Sequence, residues 1–210
     1  MTKLLLPHNK LLTYTSDIMN TLYYGSKLKI LLLLFTLLLL TSCGDKDFQT
    51  IHVEHRYKLD VPANFKKVKD LNKEASLQYQ NALDELYVIV IDEPKDVLAQ
   101  AINDNGLQDR YTDDLKGYSK LITDGMESSI AVQKMPPFKE LTIGGDKARE
   151  LSFEGISSGT GVYWKLAFIE GRDHYYQIMV WTLAESRKKH EKKMNTIVNS
   201  FIETDKGIKR

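Results

Sequence analysis

The sequence predicts an α+β fold, a three-layer α/β/α sandwich built around a mainly antiparallel sheet. Segments with strand patterns cluster near the start of the domain and again in its second half, while helical patterns fall between these clusters and at the end. The apolar run at residues 86–91 lacks polar alternation, which is typical of a strand covered on both faces. We therefore expect helices on both sides of one sheet.

The N-terminal region carries the pattern of a secretory signal peptide. Lys27 and Lys29 precede a run of 11 residues, 30–40, that is apolar except for one threonine. This run is about half the ~20 residues that a membrane-spanning helix needs, so a permanent span is not expected. The residues before Met19 are mixed and polar, which a true start at Met19 would explain. Residues 1–42 are therefore expected to be removed as a signal peptide.

The only cysteine of the chain follows this run at once. Residues 40–44, Leu-Thr-Ser-Cys-Gly, resemble the bacterial lipobox, in which an aliphatic residue and two small residues precede a lipidated cysteine. The resemblance implies a lipoprotein that is cleaved before Cys43 and carries up to three acyl chains, palmitate among them, on that residue. Two chains already hold a protein firmly on a membrane. The alternative is an uncleaved anchor followed by an incidental cysteine, and the short apolar run counts against it.

Charge is almost balanced, with 29 basic and 28 acidic residues. Removal of residues 1–42 leaves 25 basic and 27 acidic residues, a net charge of −2. Nucleic-acid binding, which needs a basic face, is not expected. A slightly acidic domain is also not expected to adhere strongly to anionic headgroups, so the lipid would supply the anchoring. The expected location is the cell envelope, on the outer membrane or at the periplasmic face.

The mature chain is interpreted as one domain. Residues 43–50 are polar and predict a lipidated tether, residues 51–203 predict a single α/β domain, and residues 204–210 predict a polar tail. A single cysteine excludes an internal disulfide. No cofactor is expected, and the domain is expected to be a monomer.

Three strands are predicted in the first half of the domain. The first spans 53–61 and stops at Pro62, because proline cannot donate a hydrogen bond to a neighbouring strand. The second is a short strand at 77–81, and the third is the buried run at 86–91, which ends at Pro94. These strands form the first cluster.

Three helices are predicted, at 95–103, 112–128 and 185–201. Polar residues at 112–114 are candidates for the cap of the second helix. The apolar stripes of the last two helices are Leu115, Tyr118, Ile122 and Met126, and Met194, Ile197, Val198 and Phe201. The charged first half of the closing helix, including the basic cluster at 187–193, is expected in solvent.

The second half of the domain predicts four strands joined by tight turns. The strands fall at 138–143, 148–155, 162–168 and 175–182, and the turns at 144–146, 157–161 and 171–173. The third of these strands shows strict alternation of large apolar residues. This succession predicts consecutive antiparallel hairpins.

The order of elements resembles the PsbP-like (PsbP/Mog) superfamily over nearly the whole mature chain. The residues that carry the resemblance are Tyr57-Lys58-Leu59-Asp60-Val61-Pro62, the Ile143-Gly144-Gly145 turn with Ala148 and Leu151, Tyr175-Tyr176-Gln177-Ile178, and residues 197–201. The resemblance implies an α/β/α sandwich. Members of this superfamily mostly bind or help to assemble other proteins rather than catalyse, although a shared fold does not by itself transfer a function.

Histidines and paired carboxylates provide weak candidates for a metal or acid–base site. His52 and His55 are three residues apart in a segment predicted as a strand, where they would point to opposite faces and not converge on one ion. The acidic pairs 84–85 and 92–93 flank one strand and lie too far apart to share a site. Solvated polar residues explain all of them.

His174 is the candidate residue for catalysis. It lies beside Asp173 at a predicted turn, and a triad with Ser157, Ser158 or Ser186 is conceivable. The sequence contains no Gly-x-Ser-x-Gly nucleophile elbow, and a turn histidine explains the pattern more simply.

The remaining patterns indicate surface features. The glycine-rich segment 155–161 has no lysine directly after it and opens no helix, so it predicts a hairpin turn and not a phosphate loop. Aromatic residues concentrate on the late hairpin, at Tyr163, Trp164, Tyr175, Tyr176 and Trp181. Exposed aromatics would favour a binding surface. The alternative is that helices cover both faces.

The leading hypothesis is a non-catalytic, lipid-anchored accessory protein of the cell envelope that binds a protein partner or a small ligand. The alternative is an envelope hydrolase that uses His174 with a nearby serine or acid. A concave site that joins His174 to a nucleophile would favour the hydrolase, and a flat aromatic patch would favour the binding protein.

Overall fold

The computed structural model describes residues 47–132 and 135–204. The strands are β1 (Phe48–Val53), β2 (Tyr57–Pro62), β3 (Lys66–Lys67), β4 (Leu77–Asn81), β5 (Leu86–Pro94), β6 (Lys139–Ile143), β7 (Asp146–Ser157), β8 (Thr160–Glu170), β9 (His174–Leu183) and β10 (Ile202–Glu203). The helices are α1 (Lys95–Asp104), α2 (Leu115–Ser129) and α3 (Arg187–Asn199). Cys43, the predicted signal peptide and most of the predicted tail lie outside the described residues.

Seven strands form the main sheet in the order β3-β4-β5-β9-β8-β7-β6, and every neighbouring pair is antiparallel. The run from β6 to β9 is a succession of hairpins, which confirms the prediction for the second half. A smaller sheet has the order β1-β2-β10 and is also antiparallel.

One face of the main sheet packs against α3 and the small sheet. The side chains of Met194, Ile197, Val198 and Phe201 are fully buried there, which confirms the predicted stripe. Tyr57 of β2 stacks on the Phe201 ring at 5.3 Å and meets the Tyr176 ring edge-on at 5.5 Å. Burial of these apolar side chains supplies the main stabilisation of this half of the core.

The opposite face of the main sheet packs against α1 and α2. Leu98 and Ile102 of α1, and Leu115 and Tyr118 of α2, are buried against β7, β8 and β9. The Tyr118 ring stacks on Tyr175 of β9 at 5.0 Å. Helices therefore cover both faces of the sheet, and the expected α+β three-layer arrangement is confirmed.

The start of α2 is fixed by Asp114. Its side chain accepts a hydrogen bond from the Gly117 amide at 2.8 Å and another from the Thr112 hydroxyl at 2.6 Å. These hydrogen bonds, the one from Thr112 first, lower the pKa of the Asp114 carboxyl. The predicted capping segment is thus confirmed, with Asp114 as the cap residue.

The first predicted strand, 53–61, is wrong at its start and right from residue 57 onward. Residues 54–56 form a turn with His55 at φ 57°, and the chain reverses into two paired strands, β1 and β2. Phe48 already belongs to β1, so the ordered domain begins within the segment that we assigned to the tether. The two-residue strands β3 and β10 were not predicted.

β10 is held in place by Glu203, which is 4% exposed. Its carboxylate accepts hydrogen bonds from the Arg172 amide at 3.0 and 3.1 Å and from the Tyr176 hydroxyl at 3.0 Å. A side chain at position 171 would not fit, because a Cβ on Gly171 would lie 2.4 Å from the Glu203 carboxylate. These contacts close the small sheet against the β8–β9 turn.

The closing helix is shorter than predicted, and its charged half is not wholly in solvent. A 3-10 turn at Ala184–Ser186 precedes it, and α3 ends at Asn199. His190 is fully buried, in contrast to the expectation for residues 187–193. Its position, four residues before Met194, places it on the apolar stripe of the helix.

Candidate binding surface

Four aromatic residues lie in one line across the middle of the main sheet. Register places Phe153 of β7 opposite Trp164 of β8, Trp164 opposite Trp181 of β9, and Trp181 opposite Tyr87 of β5. The Phe153 and Trp164 rings stack at 5.2 Å, and so do the rings of Tyr87 and Trp181. Directly opposed residues point to the same face, so these four side chains form a continuous aromatic row.

The aromatic row is covered at one end and accessible at the other. Phe153 and Trp164 are each 5% exposed. The segment after α2 runs beside β7 at this end, where Ala131 and Ile156 exchange two backbone hydrogen bonds of 3.1 Å. Trp181 and Tyr87, by contrast, are only partly buried. This end of the row is therefore partly accessible to solvent.

The uncovered end continues onto polar residues. Gln80 of β4 lies opposite Tyr87, and Lys66 of β3 lies opposite Gln80. A stacked aromatic pair beside an amide and an ammonium group can bury apolar area and make directed hydrogen bonds at its edge. This combination is typical of a surface that receives another molecule.

A groove lies beside the covered end of the row. It has a volume of about 590 Å³ and is lined by Ala131, Val132, Gly155, Ile156 and Ala184, with Phe153 at its base. Ile156 is an apolar residue left 54% exposed. A Cβ on Gly155 would lie 2.9 Å from the Ile130 side chain, so glycine is needed where the segment after α2 pairs with β7. The groove is mainly apolar.

His174 does not meet the serines with which a triad was conceivable. It is the first residue of β9, whereas Ser186 follows the other end of that strand. Ser157 and Ser158 lie at the β7–β8 turn, also at the far end. Ten strand residues span roughly 30 Å at ~3.3 Å per residue. The proposed triad is therefore wrong for these three serines.

The surroundings of His174 are aromatic and acidic. Its ring lies 6.0 Å from the Tyr176 ring. Glu93 of β5 interacts electrostatically with His174, but burial is the larger influence and raises the pKa of the Glu93 carboxyl. A partly buried acid near an imidazole does not by itself define a catalytic site.

The two acidic pairs lie at opposite ends of β5, as predicted. Asp84 accepts a hydrogen bond from the Lys189 ammonium at 2.5 Å, which lowers the pKa of Asp84. Asp92 pairs with Arg56 of the β1–β2 turn. Asp84 therefore contacts α3, whereas Asp92 contacts the β1–β2 turn.

The candidate metal histidines are separated by the β1–β2 turn. His52 lies in β1 opposite Lys58, whereas His55 lies in the turn and is 87% exposed at its side chain. Within residues 47–132 and 135–204, no three histidine, cysteine or acidic side chains cluster as metal ligands would. His52 and His55 were expected to diverge because residues three apart in a strand point to opposite faces of a sheet. That reason is wrong, because His55 lies in a turn and not in a strand.

The glycine-rich segment is a two-residue hairpin turn, as predicted. Ser158 and Gly159 both have positive φ, 51° and 82°, which is the conformation of a type I′ turn.

The basic cluster of α3 is mostly exposed, and its arginine makes specific contacts. The Arg187 guanidinium donates to Glu154 at 3.2 Å and lies 4.6 Å from the centre of the Tyr163 ring.

Of the five aromatic residues noted in the sequence, only Trp181 is accessible. Tyr163, Trp164, Tyr175 and Tyr176 are at most 5% exposed. Tyr87 was missed as a surface residue because it lies within the apolar run of β5. Strand register, which brings Tyr87 beside Trp181, was the missing information.

No helix in the described ranges, 47–132 and 135–204, is long and apolar enough to cross a bilayer.

The chain matches no protein-family model, and no curated protein sequence matches it. Solved structures do resemble it. Cyanobacterial PsbP from Synechocystis superposes with a TM-score of 0.51 at 13% identity, over 76% of this chain and 96% of that one. At this level of identity the similarity concerns the fold alone. This chain has a PsbP-like fold, which confirms the expectation from its sequence.

Two further structures are similar at lower scores. LpqN, involved in cell envelope biogenesis of Mycobacterium tuberculosis, has a TM-score of 0.44 and 12% identity, over 75% of this chain and 90% of that one. The Ran-binding protein Mog1p of Saccharomyces cerevisiae has a TM-score of 0.44 and 10% identity, over 73% and 94%.

Proposed function

We propose that this protein is a lipid-anchored, non-catalytic accessory protein of the cell envelope that binds a protein partner through the uncovered end of the aromatic row. The signal-type run and the lipobox-like sequence before Cys43 support the anchor and the location. The stacked pair of Tyr87 and Trp181, partly exposed on a flat sheet face, supports the binding role.

A stacked aromatic pair that is partly exposed on a sheet face favours a protein over a small molecule. Ligand sites for small molecules are concave and enclose most of the ligand, whereas protein interfaces centre on aromatic anchors with a polar rim. Tyr87 and Trp181 would be the anchors, and Gln80, opposite Tyr87, would belong to the rim. The groove at the covered end, lined by Ile156 and its neighbours, is the site that a small ligand would use instead.

Photo-crosslinking in cells tests the binding surface. A photoreactive phenylalanine analogue is placed at position 87 or 181 of the full chain, and at Val97 as a control. Val97 is an apolar residue of α1 that is 52% exposed and is not a member of the row. We expect both row positions to form a covalent adduct with the same envelope protein, and position 97 to form none.

Two other outcomes would contradict the proposal. Adducts from position 97 without adducts from 87 and 181 would place the interface elsewhere. Adducts from the analogue placed at Ile156, with none from positions 87 and 181, would favour the groove. A His174→Ala variant should give the same adducts as the wild type, because His174 lies at the end of the sheet far from Tyr87.

A further inference from the structure

We propose that one end of the domain rests on the anionic phospholipid surface of the membrane that carries the anchor. This end, the basal face, consists of Lys66 and Lys67 of β3, Leu83 of the β4–β5 turn and Lys189 of α3. The inference rests on lipidation of Cys43, which belongs to the proposed function. It concerns how the anchored domain is oriented.

The position of the first described residue brings the basal face to the membrane. Asp47 is four residues after Cys43, and four residues reach at most about 15 Å even when fully extended. The Asp47 carbonyl accepts a hydrogen bond from the Ala63 amide at 3.0 Å, which fixes Asp47 beside the start of β3. A lipidated Cys43 would therefore hold this end of the domain close to the headgroups.

Leu83 provides an apolar contact at this end. Its side chain is 98% exposed, the largest exposed fraction among the large apolar residues described. The turn that carries it is well ordered, because the Asn81 side-chain oxygen accepts hydrogen bonds from the amides of Leu83 and Asp84 at 3.1 and 3.2 Å. Asn64 and Lys66 line the same shallow pocket as Leu83, so the turn and β3 form one surface.

Charged side chains of both signs lie near this apolar residue: lysines at 66, 67 and 189, and the acids Asp84 and Glu85 of its own turn. Lys66 and Lys67 are exposed, and neither forms an ion pair within residues 47–132 and 135–204. Lys189 lies beside the turn through its contact with Asp84, whose charge it balances. Lysine side chains close to an anionic leaflet are attracted to it, and an apolar tip between them can enter the interface.

A fluorescent probe on the anchored protein tests the orientation. When Cys43 is acylated, Leu83→Cys supplies the only free thiol of the mature chain for an environment-sensitive fluorophore. Asp173→Cys, at the opposite end of the sheet and exposed, is the matched control. The lipidated full-length products are reconstituted in vesicles of phosphatidylglycerol and phosphatidylcholine, or of phosphatidylcholine alone.

We expect the probe at position 83 to shift its emission to shorter wavelength and to resist aqueous quencher in phosphatidylglycerol-containing vesicles only. The probe at 173 should remain in water. Lys66→Glu with Lys67→Glu should abolish the shift, whereas the matched reversal of the exposed lysines Lys139 and Lys147 should leave it unchanged. Each variant should still float with the vesicles.

The possible failures are distinguishable. Protein that floats with the vesicles while the probe at 83 reports water would overturn the orientation and leave the anchor intact. Protein that carries no acyl chains and remains in the aqueous fraction would overturn the anchor, and this inference with it. An equal shift in vesicles of phosphatidylcholine alone would overturn the role of Lys66 and Lys67.

Discussion

At the scale of single residues, Phe201 shows where stability is concentrated. It follows α3, is fully buried, and lies 5.3 Å from the Tyr57 ring and 4.9 Å from the Tyr176 ring. It therefore joins α3, the small sheet and the main sheet at one point. Deletion of such a side chain removes contacts from all three.

Phe201→Ala is expected to lower the free energy of unfolding by about 3–5 kcal/mol, since a buried phenylalanine leaves a large cavity. That loss is a large share of the ~5–15 kcal/mol that stabilises a domain. Lys189→Ala, which removes an exposed ion pair with Asp84, should cost less than about 1 kcal/mol. Urea unfolding of the unlipidated protein measures both. A silent Phe201→Ala beside a severe Lys189→Ala would contradict the packing.

A second residue, Cys43, decides the anchoring. Cys43→Ser is expected to abolish incorporation of labelled fatty acid and to leave the precursor uncleaved or mislocalised, because only the thiol accepts the lipid. Fluorography of cells grown with labelled palmitate measures the difference, with Lys139→Gln, an exposed lysine of the folded domain, as a control that keeps the thiol and the signal peptide. Equal labelling of the serine variant would show that lipid is attached elsewhere or not specifically.

Residue identity alone predicted some of these roles and not others. The stripe of α3 was predictable because apolar residues recur at helical spacing. His190 falls on the same stripe, yet its polar neighbours in sequence suggested solvent. Tyr87 was not predictable as a partner of Trp181, because a cross-strand pair depends on register and not on sequence distance.

At the scale of elements, α3 introduces an ionisable group into the core. His190 is fully buried between the helix and the sheet, and its ring nitrogens make no hydrogen bond of normal geometry within the described chain. Burial lowers the pKa of His190, and the nearby charges of Lys189 and Lys193 lower it further, against a smaller opposing effect of Asp84. The folded state therefore favours the neutral imidazole over the charged one.

The free energy of unfolding should fall as the pH drops below about 6.5. There the unfolded chain binds a proton on His190 and the folded chain does not, so protonation favours unfolding until the pH reaches the lowered folded pKa. Above pH 6.5 the effect vanishes. Urea unfolding between pH 5 and 8 measures the slope. His190→Leu should flatten it and His174→Gln should not, and an unchanged slope in His190→Leu would contradict this origin.

The small sheet was the least predictable element. β1 and β2 are joined by a three-residue turn whose His55 adopts positive φ, and no Asn-Gly or Asp-Gly signal marks it in the sequence. β10 has only two residues, too few for any period to emerge. Its pairing with Lys58 and Tyr57 is made across more than 140 residues of chain, and the buried carboxylate of Glu203 holds it there.

At the scale of the whole molecule, the fold followed from patterns that repeat over many residues. The hairpins from β6 to β9 and the three helices were predicted because alternation and helical stripes average over a dozen positions. For the binding surface, the sequence left two alternatives open: the aromatic residues of the late hairpin could be exposed, or helices could cover them. That choice depends on how far α1 and α2 extend over the sheet, a property of the assembled layers.

Residues 47–210 are expected to fold as a monomer with one cooperative urea transition. Neither a metal nor a disulfide should be needed, because both cores consist of apolar side chains. Sedimentation and unfolding with and without chelator provide the measurement. A fall in the unfolding midpoint on addition of chelator would indicate that a metal contributes to folding, and would return attention to His52.

The aromatic row has one more consequence, for spectroscopy. The chain contains two tryptophans, and both lie in this row, directly opposite each other on β8 and β9. Trp164 is shielded from water, whereas Trp181 reaches the surface. In measurements of intrinsic tryptophan fluorescence, the buried Trp164 can therefore serve as an internal reference for the accessible Trp181. Emission from Trp164 reports the integrity of the interior, and collisional quenching of Trp181 reports, without any label, the moment at which another molecule covers this face.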